Sequence, residues 1–429
     1  MNTLFPDKIN IYGKRERGLN MNRLMPLLFS SLAIVSIFSF FLINSPNPFP
    51  ITSKQDLNSV QNQPEDDNDH RLHSHAVQVK QIPPPTKDEE CDLFKGQWVP
   101  DLRGPLYTNS SCRSIPESKN CFKNGRKDTD FLNWKWKPEK CELPEFDPKA
   151  FLEIVRGKKM AFIGDSVARN HVESLLCLLS QEELPEEIYK DSEDRFRTWY
   201  FPQHDFTLMK LWSKYLIAAD ERMVNGTGSG IFDLHIDKID DEWAKHLPDL
   251  DYAIISDGHW FFRVLYLLEG DNLIGCVYCN QPNITGLNIS NAVRMAFRTA
   301  FKYISNCKKC KGGLLTLLRT FAPAHFENGA WNTGGHCNRT SPFGEAQVDF
   351  TKFDWEMRNI QIEEMKGARK EGKNIRVLDI TRAMLMRPDG HPGIHWGNQW
   401  MKGYSDCVHW CMPGPVDYWS NFLMALIRN

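Results

Sequence analysis

Two short stretches of this chain carry residues whose types and spacing could do chemistry. The first is Met160-Ala161-Phe162-Ile163-Gly164-Asp165-Ser166, an apolar run that ends in a turn. It is followed by Val167, Ala168, Val172, Leu175, Leu176 and Leu179 at helical spacing. Strand, tight turn and helix in that order place the Ser166 hydroxyl at a helix N-terminus, where free N–H groups stabilise an anion. The second stretch is Asp406-Cys407-Val408-His409, near the other end of the chain. An aspartate three residues before a histidine can hold one ring nitrogen and leave the other free to deprotonate a serine. Alone, Ser166 could simply cap its helix, as serine often does. Together, the two stretches point to serine-based acyl chemistry, with Ser166 as nucleophile, His409 as base and Asp406 orienting it. Asp165 is expected to brace the turn.

Other residues compete for roles beside these three. Arg387-Pro388-Asp389-Gly390-His391 also offers an acid and a histidine, and His259 follows an apolar run in Ser256-Asp257-Gly258-His259. His391 and His259 are read as pocket-lining residues. An oxyanion needs converging donors: the Ser166 N–H is one, Arg169 one turn into the helix is a second, and the Gly258 N–H is a third candidate. Of thirteen tryptophans most must simply pack, but Trp260, Trp396 and Trp400, with Phe261 and Phe262, flank the expected site, where aromatic faces suit sugar rings. Cys276-x-x-Cys279 and Cys307-x-x-Cys310 suggest either zinc or disulfides. Their separation exceeds a zinc ribbon's and glycosylation sequons fall between them, so disulfides are expected and no metal. Cys407 and Cys411 flank His409 and would brace its loop, although spacing does not reveal connectivity.

Gly164-Asp165-Ser166-Val167-Ala168-Arg169-Asn170 and Asp406-Cys407-Val408-His409-Trp410-Cys411-Met412-Pro413-Gly414-Pro415 resemble the paired blocks of the SGNH/GDSL superfamily. More narrowly, they resemble those of the plant trichome-birefringence-like polysaccharide O-acetyltransferases. The Cys91–Cys141 segment, with Trp98, Trp134 and Trp136, is similar to that family's N-terminal module, so the resemblance covers residues 91 to 429. It is closest to members that acetylate xyloglucan. The resemblance implies an α/β, SGNH-like three-layer sandwich with a mainly parallel sheet, a Cys-rich N-terminal module and residence in the Golgi membrane. It also implies transfer of acetyl groups to a polysaccharide acceptor through an acetyl-serine, with no bound cofactor but with an acetyl donor whose identity stays open. Typical SGNH enzymes carry a Gly-x-Asn-Asp block where this chain reads Ser256-Asp257-Gly258-His259, so the second oxyanion donor is unassigned. The same triad would serve a polysaccharide acetyl esterase, and a catalytically silent glycan-binding protein is the third reading.

The elements that must position these residues follow from the hydropathy pattern. Lys159–Ile163, Tyr252–Ser256, Leu314–Thr320 and Ile375–Ile380 are nearly continuous apolar runs, expected as buried parallel strands. Helices are expected near Arg169–Ser180, Ile289–Ile304 and Phe353–Arg369, which alternate with the strands and belong on both faces of the sheet. In such folds the site lies beyond the carboxyl ends of the strands. Leu24 to Ile43 is long and apolar enough to cross a bilayer, and Lys14, Arg15, Arg17 and Arg23 precede it. The positive-inside rule therefore gives a single-pass type II anchor rather than a cleaved signal peptide. The expected organisation is a cytosolic tail at 1–23, an anchor at 24–43, a disordered stem at 44–90, a Cys/Trp-rich module at 91–144 and a catalytic domain at 145–429. Sequons at Asn109, Asn225, Asn283, Asn288 and Asn338, and twelve cysteines all beyond the anchor, suit a lumenal body. With 41% hydrophobic residues in 429 the chain can bury a large core, and a net charge of −2 gives no argument for a nucleic-acid partner.

Overall fold

The computed structural model describes residues 91–370, 373–397 and 403–428. The cytosolic tail, the anchor at 24–43, the stem at 44–90 and Trp400 lie outside the described residues. Among the described residues, no helix is long and apolar enough to cross a membrane.

The strands are β1 (Gly96–Pro100), β2 (Trp134–Pro138), β3 (Lys159–Gly164), β4 (Glu186–Lys190), β5 (Phe196–Phe201), β6 (Phe206–Trp212) and β7 (Ile217–Val224). They continue with β8 (Thr227–Ile239), β9 (Tyr252–Ser256), β10 (Leu265–Glu269), β11 (Asn272–Val277), β12 (Gly286–Leu287), β13 (Leu315–Arg319) and β14 (Asn374–Leu378). The main sheet runs β14-β13-β9-β3-β6-β5-β4. Its first five strands are parallel, and β5 and β4 close the edge antiparallel. The four strands expected from apolar runs are thus neighbours, and each is covered on both faces.

Alternation along β3 explains how one strand feeds two cores. Met160 and Phe162 point into a cluster with Ile254, Leu317 and the helices Ser166–Leu179 and Tyr418–Arg428. Ala161 and Ile163 point the other way, with Ala253, Ile255, Leu318 and the helices Ile289–Asn306 and Phe353–Ala368. Successive side chains on a strand face opposite sides, so a strand buried on both sides must be apolar throughout.

A second sheet was not foreseen. It runs β12-β11-β10-β8-β7 and mixes antiparallel and parallel pairs, so the expectation of a mainly parallel sheet holds for one of two large sheets only. Phe232, Leu234 and Ile236 of β8 join the core on the Ile289–Asn306 side.

The N-terminal module is built into the rest rather than appended to it. Its β1–β2 pair sets Trp98 opposite Trp136, and these rings meet Tyr418 and Phe422 of the last helix. Trp98 Nε1 donates to the Ala383 carbonyl at 2.8 Å, and Lys119 Nζ pairs with Glu173 Oε2 at 2.5 Å. About fifty residues bury too little apolar area to be stable alone, and disulfides add to the packing. Cys91–Cys141 closes the module, Cys112–Cys177 ties it to the helix Ser166–Leu179, and Cys121–Cys411 ties it to the loop after His409. The remaining pairs are Cys276–Cys279, Cys307–Cys310 and Cys337–Cys407. Both CxxC motifs therefore close on themselves as disulfides.

Candidate active site

Ser166 opens its helix at the carboxyl end of β3. Gly164 before it has φ +140°, and a Cβ there would sit 1.7 Å from the Ser256 carbonyl oxygen of β9, so only glycine lets the two strand ends close up. Asp165 is the cap: its Oδ1 accepts from the Val167 N–H at 2.9 Å and the Ala168 N–H at 3.4 Å. Its Oδ2 accepts from the His259 N–H at 3.0 Å and lies 3.2 Å from His259 Nδ1. Burial raises the Asp165 pKa, but His259 and the nearby Arg319 outweigh it and hold the carboxyl at about 2. Asp165 thus braces the turn and fastens the β9 loop to it. Ser166 itself is half-buried, and neither its hydroxyl nor its N–H makes a hydrogen bond among the described residues.

Asp406 and His409 form a compact unit. His409 Nδ1 lies 2.8 Å from Asp406 Oδ2, while Asp406 Oδ1 accepts from the N–H groups of Val408 at 3.1 Å and His409 at 2.9 Å. Burial would raise the Asp406 pKa, yet the His409 charge, its hydrogen bond and the two backbone donors drive it well below the usual carboxylate range. The His409 side chain keeps 25% of its exposure while that of Asp406 keeps 6%, so the ring has one nitrogen inward and an edge open.

A residue given no role by its sequence context ties the unit to the Ser166 helix. Asn170 lies one turn beyond Ser166 on the same face of the helix. Its Oδ1 accepts from the Trp410 N–H at 2.8 Å and its Nδ2 donates to the Trp410 carbonyl at 3.3 Å. Both backbone groups of the residue after His409 are thereby pinned to the helix that Ser166 opens. The loop is held from every other side as well. Gly393 and Asp406 exchange backbone hydrogen bonds, the His325 N–H donates to the Cys407 carbonyl, and Met412 N–H donates to the Lys119 carbonyl. Cys337–Cys407 and Cys121–Cys411 bracket His409 covalently.

Three expected roles are corrected. The Gly258 N–H donates to Asp257 Oδ1 at 2.6 Å and Gly258 packs against Phe321, so it has no hydrogen to offer an oxyanion. His391 is buried, with Nδ1 on the His409 carbonyl and Nε2 on His325, so it supports the loop instead of lining a pocket. His259 likewise spends both ring nitrogens, on Asp165 and on the Ala322 carbonyl at 2.9 Å. Arg169 keeps to the Ser166 helix, but its Nη2 reaches the Asp194 carbonyl at 3.3 Å and its guanidinium lies 5.1 Å from the centre of Trp212.

Trp212 ends β6 level with Gly164, and its ring meets Trp260 edge to face at 5.9 Å. These two half-buried rings, with Lys214 and Arg263 stacked on Trp260, form an aromatic wall on the β6 side. Trp396 is also half-buried, its Nε1 donating to the Tyr404 carbonyl at 3.0 Å. Among the described residues there is no group of three His, Cys, Asp or Glu side chains that could hold a metal ion.

Comparison with known proteins gives this geometry a context. Residues 143–426 match the model of a GDSL/SGNH-like acyl-esterase family found in Pmr5 and Cas1p, and residues 89–142 match the PMR5 N-terminal domain. The chain is 55% identical to xyloglucan O-acetyltransferase 4 of Populus trichocarpa, across 97% of this chain and 95% of that protein. It is 53% identical to xyloglucan O-acetyltransferase 2 of Arabidopsis thaliana, across 97% and 96%. Identity to protein trichome birefringence-like 20 of Arabidopsis thaliana is 44%, across 79% and 72%.

Proposed function

The chain belongs to the GDSL/SGNH-like acyl-esterase family found in Pmr5 and Cas1p, and on that premise we propose that it transfers acetyl groups to xyloglucan through an acetyl-serine on Ser166. The observation that supports the mechanism is the clamp of Asn170 on Trp410, which ties the loop of the Asp406–His409 pair to the helix that Ser166 opens. His409 Nε2 takes the Ser166 proton as Oγ attacks the acetyl carbonyl. Charge then develops on the carbonyl oxygen against the Ser166 N–H and the positive end of the helix. The carbonyl re-forms, the bond to the donor's leaving group breaks, and that group departs with the proton held by His409. In the second half a sugar hydroxyl attacks the acetyl-serine and yields its proton to His409. Ser166 Oγ leaves and recovers that proton. Asp406, ionised and buried, keeps the imidazole oriented throughout. Arg169 adds positive potential from the first turn.

The acceptor assignment rests on relatives that match nearly the whole chain and carry xyloglucan in their names. The donor is a separate molecule, not a bound cofactor, and its chemical class is open. Hydrolysis is the second reading, favoured by the esterase description of the family, since water can replace the sugar hydroxyl at the same acetyl-serine. One experiment separates the readings: the full-length protein with an acetyl donor and unacetylated xyloglucan, xylan or mannan, followed by mass analysis of the polymers. Acetylated xyloglucan is the expected product. Release of free acetate from acetylated polymer without donor, and no gain of acetyl on any acceptor, would establish the esterase instead.

We place the body in the lumen of the secretory pathway, in the Golgi membrane, on the type II anchor. All twelve cysteines are paired, which suits an oxidising compartment, and Asn109, Asn225, Asn283, Asn288 and Asn338 stand exposed for glycosylation. Protein denatured in the presence of an alkylating agent should show no reactive thiol, and its mobility should rise on enzymatic removal of N-glycans. Free thiols and unchanged mobility would place the body in the cytosol.

A further inference from the structure

Behind the catalytic loop lies a hydrogen-bond chain that two neutral histidines cannot complete. His391 Nδ1 lies 2.7 Å from the His409 carbonyl oxygen, His391 Nε2 lies 2.7 Å from His325 Nδ1, and His325 Nε2 lies 3.1 Å from the Leu385 carbonyl oxygen. A carbonyl oxygen only accepts, so both outer nitrogens must carry hydrogen. A neutral imidazole has a single N–H, which leaves the two inner nitrogens as bare lone pairs facing each other at hydrogen-bonding distance. One added proton between them satisfies all three contacts.

We propose that His325 and His391 share one proton and act as a positioning pair for His409, gripping its backbone carbonyl while the proton is held and loosening that grip when it leaves. This rests on the reading of His409 as the base. The loop is well placed to feel the pair. His325 also holds Cys407 through its backbone, and the Trp410 ring lies 4.1 Å, centre to centre, from His391, where an aromatic face favours a cationic imidazole.

The charged groups around the pair come from four segments. Asp389, paired with Arg387 at 2.8 Å, precedes His391. Glu327 follows His325, and Asp406 and His409 face the pair from the loop. Arg126 of the N-terminal module donates to the His391 carbonyl at 3.0 Å. Burial pushes both ring pKa values down, and for His391 the neighbouring His325 adds to this. Asp389 and Glu327 act upward on His325, Asp406 acts upward on His391, and the net direction is down. The proton is held at low pH and leaves as pH rises through a value below the ordinary imidazole pKa of about 6.5. The alkaline limb of the activity profile therefore belongs to the pair and begins on the acid side of neutrality.

The test is kcat against pH, at saturating acceptor, for the wild type, His325→Gln and His391→Asn. Glutamine at 325 keeps an N–H for the Leu385 carbonyl, asparagine at 391 keeps one for the His409 carbonyl, and each removes one inner nitrogen. The wild type should fall about tenfold per pH unit on its alkaline limb, and both variants should stay flat there. A second readout is the proton NMR signal of the shared proton, far downfield, expected at low pH in the wild type, fading as pH rises and absent from both variants. Variants that retain the alkaline limb, or a wild type without that signal, overturn the proposal. If either variant fails to fold, the wild-type signal still decides. Ser166→Ala and His409→Ala measured alongside keep the two readings apart. If those proteins stay active the acetyl-serine mechanism fails. If they are dead while His325→Gln keeps the limb, only the pair proposal fails.

Discussion

Replacing Ser166 with alanine is expected to reduce acetyl transfer to background while leaving the melting temperature essentially unchanged. The serine starts its helix but does not cap it, because Asp165 holds the Val167 and Ala168 N–H groups. What is removed is one half-buried hydroxyl that makes no hydrogen bond among the described residues. Such a change shifts stability by no more than about 0.5 kcal/mol. Against this, loss of the nucleophile from a serine triad costs on the order of 10⁶ in kcat. The two effects differ so much that one preparation, assayed for transfer and melted, separates them. Wild-type transfer by a folded Ser166→Ala protein would end the covalent mechanism.

Asp406→Asn should be nearly as damaging, with a loss of about 10⁴ in kcat if the orienting role matches that in other serine triads. The geometry gives the reason. One carboxylate oxygen serves the two backbone donors and the other serves His409 Nδ1. An amide can keep its oxygen on the backbone only by turning its NH₂ toward Nδ1. That nitrogen must then be bare, so the ring hydrogen moves to Nε2, the atom that has to take the proton of Ser166. The pH dependence follows from the depressed pKa of the carboxylate. Its contribution to stability is complete above the unfolded value of about 3.9 and is lost only as pH falls toward the lower folded value. Loss of activity at any pH above 4 therefore has another source than protonation of Asp406. Kinetics on protein with a native circular dichroism spectrum is the check, and a loss under tenfold would strip Asp406 of the role.

Local signals were legible in the sequence and distant ones were not. The Ser166 turn is a strand, a glycine and a helix in immediate succession, and each of its parts is dictated by neighbours in the chain. The Asp406–His409 unit is equally local, a single turn of backbone. The Asn170 clamp could be read only as part of a motif, because its partner Trp410 lies 240 residues away. Separation in the chain also hid the role of His391, whose ring partner His325 lies 66 residues away. Gly258 misled because its N–H is taken by the side chain of the residue before it, a contact that depends on backbone angles. The second sheet was missed for a different reason. β7 is mostly exposed, with Asp220, Glu221 and Arg222 in succession, and β8 alternates buried Phe232, Leu234 and Ile236 with Asp233 and His235, so neither forms the apolar runs that marked β3, β9 and β13. Disulfides rather than zinc were expected at the CxxC motifs, but spacing did not show that each motif closes on itself. Cys112–Cys177 and Cys121–Cys411 join segments whose proximity only the folded core creates.

The Cys121–Cys411 bond has a consequence in time. Its two cysteines are separated by 290 residues, so Cys411 is synthesised long after Cys121. The module is synthesised first yet cannot be closed onto the catalytic loop until those 290 residues have been made, and until then Cys121 waits for its partner. The Asp406–His409 unit, once made, is secured to a partner that already exists. A stop between Cys411 and Phe422 would leave that bond possible but remove the packing of Phe422 on Trp136. A stop before Asp406 would leave Cys121, Asn170 and Ser166 without their partners, in a chain lacking both the base and the carboxylate that orients it.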